Sequence, residues 1–246
     1  MEVVLSIAGS DSSAGAGIQQ DLKTITALGC YGATVITSVT SQNTQGVQSA
    51  MSVPPDVVAS QMSAVLTDLE PRAIKIGMLP DKSVAEAVVK VLGDYQQQHQ
   101  TAVVYDPVMI STSGYRLMQP DAIEYVSHNL FPLCTLITPN MQEAGILVER
   151  LRRYAFLLKG GHADGDMMTD VLHTPDGAVH EFTTARIATG NLHGTGCTLS
   201  SAIAAFLARG FCLQQSVKQA KDFISAAIYR SVNLKIGHGN GPLLVF

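Results

Sequence analysis

What is scarce in this 246-residue chain narrows its role first. Only 15% of the residues are charged and the net charge is −4, so there is no basic footprint for nucleic acid. Positive residues are scattered, and the one local cluster, Arg150, Arg152 and Arg153, has the pattern of a solvated helix face. The four cysteines, Cys30, Cys134, Cys197 and Cys212, show neither C-x-x-C spacing nor a histidine pair at zinc spacing, which disfavours a structural metal. No apolar run approaches the roughly 18 residues of a membrane span. The opening "MEVVLSIAGSDSS" lacks a basic n-region, so no signal peptide is expected and a reducing cytoplasm is the expected home. Linkers, repeats and low-complexity tracts are missing as well, which leaves 1–246 as one expected domain.

What is present is alternation. With 46% hydrophobic residues the chain can bury a sizeable core. "VVLSIAG", "YGATVITSVTSQ", "AIKIGML", "AVVYDPVM", "CTLIT" and "YAFLLKGG" read as strands. Between them lie helical patterns, including "IQQDLKTITALG" and "PPDVVASQMSAVLTDL", the latter with Val57, Met62, Val65 and Leu66 as its inward stripe. "DVLHTP" and "AVHEFTT" around Asp-Gly read as a hairpin. Strand–helix alternation over nearly the whole length predicts an α/β fold with a mostly parallel sheet covered on both faces. Ligands of such sheets bind at the carboxyl ends of the strands, so the polar loops there are the places to look.

The loop "GSDSSAGAGIQQD" has neither the dinucleotide G-x-G-x-x-G nor the Walker G-x-x-x-x-G-K-[ST], and its small residues suggest a wall for a flat ligand. Asp21 lies inside the following helix, where a solvent-facing side chain is the default. Gln42 can donate and accept together, which suits a ring nitrogen beside an amino group. Met78, past a strand, is either a core residue or a cover for an aromatic ring. Asp106 at a strand end suits an Mg²⁺ shell. Asn140 and Glu143 stand at the spacing of a capping box, a role compatible with Glu143 holding water or Mg²⁺ near a triphosphate. Lys159 before two glycines is a surface lysine by default and a phosphate neutraliser otherwise. His162 and His193 have no partners at metal spacing and read as loop residues. In "NLHGTGCTLSSAIAAFLARG", Gly194, Thr195, Gly196 and Cys197 stand at the mouth of an amphipathic helix, whose free amides favour an anion. The same amides favour a thiolate, so Cys197 is expected to be more acidic than a free thiol, unless it is a small buried residue of the turn. Together these features suit phosphoryl transfer from ATP to a small heteroaromatic compound.

In order along the chain, "AGSDSSAGAGIQQDLKT", "TSVTSQNTQGV", "KIGML", "DPVM", "LITPNMQEA", "KGGH", "HGTGCTLSSAIAA" and "IGHGNGP" resemble the hydroxymethylpyrimidine/hydroxymethylpyrimidine-phosphate kinases, a branch of the ribokinase-like fold. The resemblance implies a three-layer α/β/α fold and a cytoplasmic enzyme, often a homodimer. It implies ATP- and Mg²⁺-dependent phosphorylation of 4-amino-5-hydroxymethyl-2-methylpyrimidine and then of its monophosphate, in thiamine biosynthesis. Carried over by motif, Ala16, Asp21, Gln42, Met78 and Val108 would surround the pyrimidine. Asp106, Asn140, Glu143 and Lys159 would serve ATP, with Asp106 and Glu143 on the metal. Gly194, Thr195 and Gly196 would form the anion hole, and Cys197 would be the general base.

Two departures from the family pattern stand out. Ser12 and Ala14 replace a proline and a glycine of the usual first loop. Between "TPNMQEA" and "KGGH", the run "GILVERLRRYAFLL" is about a helix shorter than the family's. Two other readings compete: a pyridoxal/pyridoxine kinase of the same fold, and a non-catalytic pyrimidine-binding protein.

Overall fold

Strand β1 (Val3–Asp11) buries Val4, Leu5, Ile7 and Ala8 without alternation, as a parallel strand covered on both faces does. In the computed structural model, which describes residues 1–111, 114–160 and 165–246, this strand lies third in a nine-stranded sheet. The chain continues through α1 (Gly17–Ala27), β2 (Tyr31–Asn43), β3 (Gly46–Ser52), α2 (Pro55–Leu69) and β4 (Ala73–Ile76). Next come α3 (Lys82–Gln96), β5 (Ala102–Tyr105), α4 (Pro120–Asn129), β6 (Leu136–Ile137), α5 (Met141–Leu151) and β7 (Phe156–Leu158). The hairpin β8 (Met167–His173) and β9 (Val179–Ala185) precedes α6 (Thr195–Ala208) and α7 (Leu213–Ser231).

The strand order is β3-β2-β1-β4-β5-β6-β7-β8-β9. Pairing is parallel from β2 through β7 and antiparallel at β3, β8 and β9. Two apolar clusters lie on opposite faces. Val58, Met62, Val84, Val88, Val126 and Leu147 bring α2, α3, α4 and α5 onto one. Ile25, Leu199, Ile203, Val217 and Ala220 bring α1, α6 and α7 onto the other. This is the expected three-layer arrangement with a mostly parallel sheet.

Local chemistry explains several boundaries. Asp81 caps α3 by accepting from the Val84 amide at 2.9 Å. Asp176-Gly177 makes the turn between β8 and β9. The inward stripe of α2 needs correcting: Val57 is exposed and Val58 is buried in its place, because Val58, not Val57, stands four and eight residues before the buried Met62 and Leu66 on one helical face. The short run after β6 is closed by one helix, as α5 passes without a break through Leu147 and Val148 and delivers the chain to β7. Beyond α7, the chain returns across the strand ends. The Asn240 amide donates to the Thr44 carbonyl at 2.8 Å, and the His193 amide donates to the Gly241 carbonyl at 3.0 Å. Leu243 and Val245 are then buried.

Candidate active site

At the carboxyl ends of β1, β4, β5, β6 and β7 the loops enclose a cavity of about 280 Å³. Ala16, Gln42, Met78, Asp106, Val108, Asn140, Glu143, Lys159, Gly194, Thr195, Gly196 and Cys197 all line it. Of the residues named from the sequence, Asp21 is the one that does not. His162 lies outside the described residues.

The mouth of α6 is shaped by a close approach. Gly194 has φ +85°, and a Cβ there would fall 1.9 Å from the Gly15 carbonyl oxygen, so the glycine loop after β1 and the turn into α6 touch backbone to backbone. A Cβ on Gly196 would stand 3.3 Å from Asp106 Oδ2 and 3.6 Å from Lys159 Nζ. The start of the helix therefore faces a carboxylate and an ammonium directly. The Thr195 amide, assigned above to the anion hole, donates to the Leu192 carbonyl at 3.3 Å, so the first-turn amides of Gly196 and Cys197 are left as the better donors.

Asp106 is 1% exposed, and its Oδ1 accepts from Lys159 Nζ at 2.6 Å and Thr138 Oγ1 at 3.3 Å. Burial disfavours the Lys159 ammonium, yet Asp106 and Glu143 outweigh it and hold its pKa above the ordinary lysine value. Asn140 and Glu143 form a capping box. The Asn140 side chain accepts from the Gln142 and Glu143 amides at 2.9 Å, and Glu143 Oε2 accepts from the Asn140 amide at 2.8 Å. Glu143 also lines the cavity, so capping and site geometry coexist. Burial lifts its carboxyl to about 7; Lys159 and the Asn140 and Met109 amides oppose the rise, and Asp106 adds to it.

The other end of the cavity is apolar with an amide edge. A Cβ on Gly9 would meet Met78 Sδ at 2.9 Å, so the thioether lies against bare backbone. Gln42 Oε1 lies 3.1 Å from Thr40 Oγ1, and its Nε2 lies 3.3 Å from His193 Nε2. Ser12, one of the two departures from the family loop, both donates to the Gln42 carbonyl and accepts from the Gln42 amide, each at 2.8 Å. A hydroxyl does here what a proline ring does not: it ties the first loop to β2.

The cavity residues that the sequence reading gave no role include the pair Asp11 and His193. Asp11 Oδ2 lies 2.8 Å from His193 Nε2. Asp11 also accepts from the amides of Ser13 and Ala16, at 2.8 and 2.9 Å, and so organises the glycine loop. Burial raises the Asp11 carboxyl, but His193 and Ser13 outweigh it and hold it below the ordinary range. Both residues were hidden because neither stands in a recognisable spacing, and their pairing joins positions 182 residues apart.

Two expectations are corrected. Asp21 is neither solvent-facing nor a wall of the ring pocket. It is fully buried behind the cavity, accepting from Ser6 Oγ at 2.6 Å, Lys75 Nζ at 2.7 Å and Ser201 Oγ at 2.7 Å. Cys197 is not more acidic than a free thiol. Burial pushes its pKa up to about 11, Asp21 and Asp106 add to the rise, and Lys75 and the Gly17 amide only partly oppose it. The helix N-terminus favours a thiolate, but desolvation beside two carboxylates wins.

With this geometry in view, similarity to known proteins is informative. The model of the phosphomethylpyrimidine kinase family matches residues 11–244. The hydroxymethylpyrimidine/phosphomethylpyrimidine kinase of Rhizobium meliloti is 43% identical over 259 aligned positions, covering 98% of this chain and 96% of its own. The Escherichia coli protein of the same name is 43% identical, covering 97% of this chain and 95% of its own. The first of these alignments is longer than the chain, so it holds gaps on this side, in keeping with the short passage noted after "TPNMQEA". A crystal structure of phosphomethylpyrimidine kinase from Clostridium difficile superposes with TM-score 0.79 at 38% identity, covering 93% of this chain and all of that one. Pyridoxal kinase from Staphylococcus aureus in complex with ADP superposes with TM-score 0.87 at 30% identity, covering 100% of this chain and 93% of that one. The chain belongs to the phosphomethylpyrimidine kinase family, on the ribokinase-like fold.

Proposed function

We infer that this chain is an ATP-dependent kinase that phosphorylates 4-amino-5-hydroxymethyl-2-methylpyrimidine and then its monophosphate, in thiamine biosynthesis, acting as one domain over 1–246 in the cytoplasm. The observation that carries the reading is the meeting in one cavity of the α6 mouth, the Asp106–Lys159 pair and the Met78–Gln42 ring pocket. Binding alone needs no such triphosphate apparatus, which counts against a sensor. Among the described residues no helix is long and apolar enough to cross a membrane. A homodimer fits the uncovered sheet edge, where the cross-strand neighbours Val39 and Met51 are both exposed.

Asp106 and Glu143 suit Mg²⁺, which takes one or two carboxylates plus substrate phosphates, and a carboxyl raised to about 7 has its charge restored by a cation. When bound, the ion neutralises phosphate charge. The protein's own residues do the rest. Gly196 and Cys197 amides receive the transferring phosphoryl group, and Lys159 offsets its charge. In the first reaction the substrate's hydroxymethyl oxygen forms the new bond to the γ-phosphorus as the bond to ADP breaks, and its proton passes to the sulfur of Cys197 in the minor thiolate fraction that a pKa of about 11 leaves near neutral pH. In the second the nucleophile is a phosphomonoester with a second pKa of about 6, so no proton need be removed at neutral pH. Because the transition state is loose, positioning and charge stabilisation outweigh the base.

A coupled ADP-release assay tests the reading, with the pyrimidine alcohol, its monophosphate and pyridoxal as separate acceptors. Turnover of both pyrimidines supports it. Turnover of pyridoxal alone hands the site to the pyridoxal kinases, and saturable binding without ADP release makes it a sensor.

A further inference from the structure

Lys75 is the one charged residue of β4, and its side chain is wholly buried. It nevertheless forms part of the cavity lining, as do Met78 and Cys197. A Cβ on Gly77 would come within 2.8 Å of its Nζ, which places the ammonium directly beneath the turn leading to Met78. Its ammonium donates to Asp21 at 2.7 Å, and Asp21 does not line the cavity. Asp21 is itself locked from two more directions, by Ser6 of β1 and by Ser201, one turn after Cys197 on α6.

The result is an oriented ion pair. Its negative end is saturated by three donors and set back in the core, and its positive end borders the cavity floor. Burial in low dielectric strengthens its field, and four elements hold it still, which is the condition under which a fixed dipole stabilises charge without reorganising. Resting on the kinase reading above, we propose that the Lys75–Asp21 pair is the electrostatic support of the acceptor end of the site, with Lys75 a positioning residue that stabilises negative charge on the acceptor oxygen. Lys159, paired with Asp106, lies instead beside the mouth of α6, 3.6 Å from where a Cβ on Gly196 would stand.

The two acceptors meet this field at different stages. A phosphomonoester is anionic when it binds, so the dipole lowers its KM and offsets its repulsion from the γ-phosphate. The alcohol binds neutral and gains charge only as it reacts, so the dipole raises its kcat and leaves its KM alone. Removing the dipole therefore splits the two reactions, whereas loosening the fold changes both alike.

The test is the double variant Lys75→Met/Asp21→Asn, which removes both charges at near-constant volume, after its circular dichroism and melting curve are matched to the wild type. The expected result is a KM for the monophosphate raised tenfold or more. For the alcohol, kcat falls tenfold or more with KM within twofold. Calorimetry without nucleotide is expected to show weakened binding of the monophosphate and unchanged binding of the alcohol. If the double variant does not fold, Lys75→Gln is measured in the same way and the same split is expected. Losses equal for both acceptors, or no loss, overturn the inference. Wild-type protein that releases ADP with neither pyrimidine overturns the kinase reading itself, so the two failures are told apart.

Discussion

Cys197 shows how far a single residue's chemistry departs from its local sequence. The motif H-G-T-G-C announces a helix mouth, and that much was legible. The two carboxylates that oppose ionisation, Asp21 and Asp106, lie 176 and 91 positions away in the chain and are invisible to any window. With a folded pKa near 11 against an ordinary 9.0, the free enzyme holds the thiol neutral at pH 8. Alkylation by iodoacetamide proceeds through the thiolate, so its rate at Cys197 is expected to keep rising with pH toward 11, where an exposed thiol has levelled off. A plateau near 8.5 would contradict the burial argument. Cys197→Ala is expected to lower turnover of the alcohol strongly while nucleotide binding survives, measured by initial rates and by ADP titration. Ala14 carries a second residue-scale consequence. Its φ of +61° is the left-handed conformation that a Cβ disfavours, at the position where the family's loop has glycine. Ala14→Gly is expected to stabilise the protein by about 0.5–1 kcal/mol, after allowing for the greater freedom of glycine in the unfolded chain. Urea unfolding would check it.

Among the elements, those with strong local signals were readable, and the misreadings have physical causes. The Asn140–Glu143 spacing and the Asp176-Gly177 turn each declare themselves within a few residues, and each is present. Asp21 was misplaced because its partner Lys75 is on β4, 54 residues away from helix α1, and a buried ion pair leaves no periodic trace. The α5 capping box gives an element-scale test. Asn140→Ala is expected to cost about 1 kcal/mol, the usual loss on removing an asparagine cap, and to disturb Glu143 in the cavity as well. Glu143→Gln keeps an acceptor for the Asn140 amide while removing the charge. A carboxyl raised from 4.5 to about 7 binds more protons folded than unfolded, so its contribution is fully present below about 4.5 and lost as pH rises through 7. Without a divalent cation, Glu143→Gln is therefore expected to be more stable than wild type at pH 8, on the order of 2 kcal/mol, and nearly equal at pH 4.5. Thermal melts at the two pH values decide this.

Across the molecule, alternation of strands and helices was enough to anticipate three layers and a site at the strand ends, because a parallel sheet has few other ways to cover both faces. Strand order and the two antiparallel flanks were not readable, since they depend on long-range pairings such as β1 with β4. The β3 edge carries the molecular-scale prediction. Sedimentation is expected to give about twice the 26.1 kDa chain mass, and Met51→Lys, which places a charge on that edge, is expected to return it toward one chain mass.

The segment after α7 joins the tip of the β2–β3 hairpin, through Thr44, to the turn that carries His193. During translation those final contacts emerge after everything they fasten, and α6 itself comes late. A nascent chain can thus complete its sheet, which ends at β9, before the α6 mouth that lines the cavity has emerged from the ribosome.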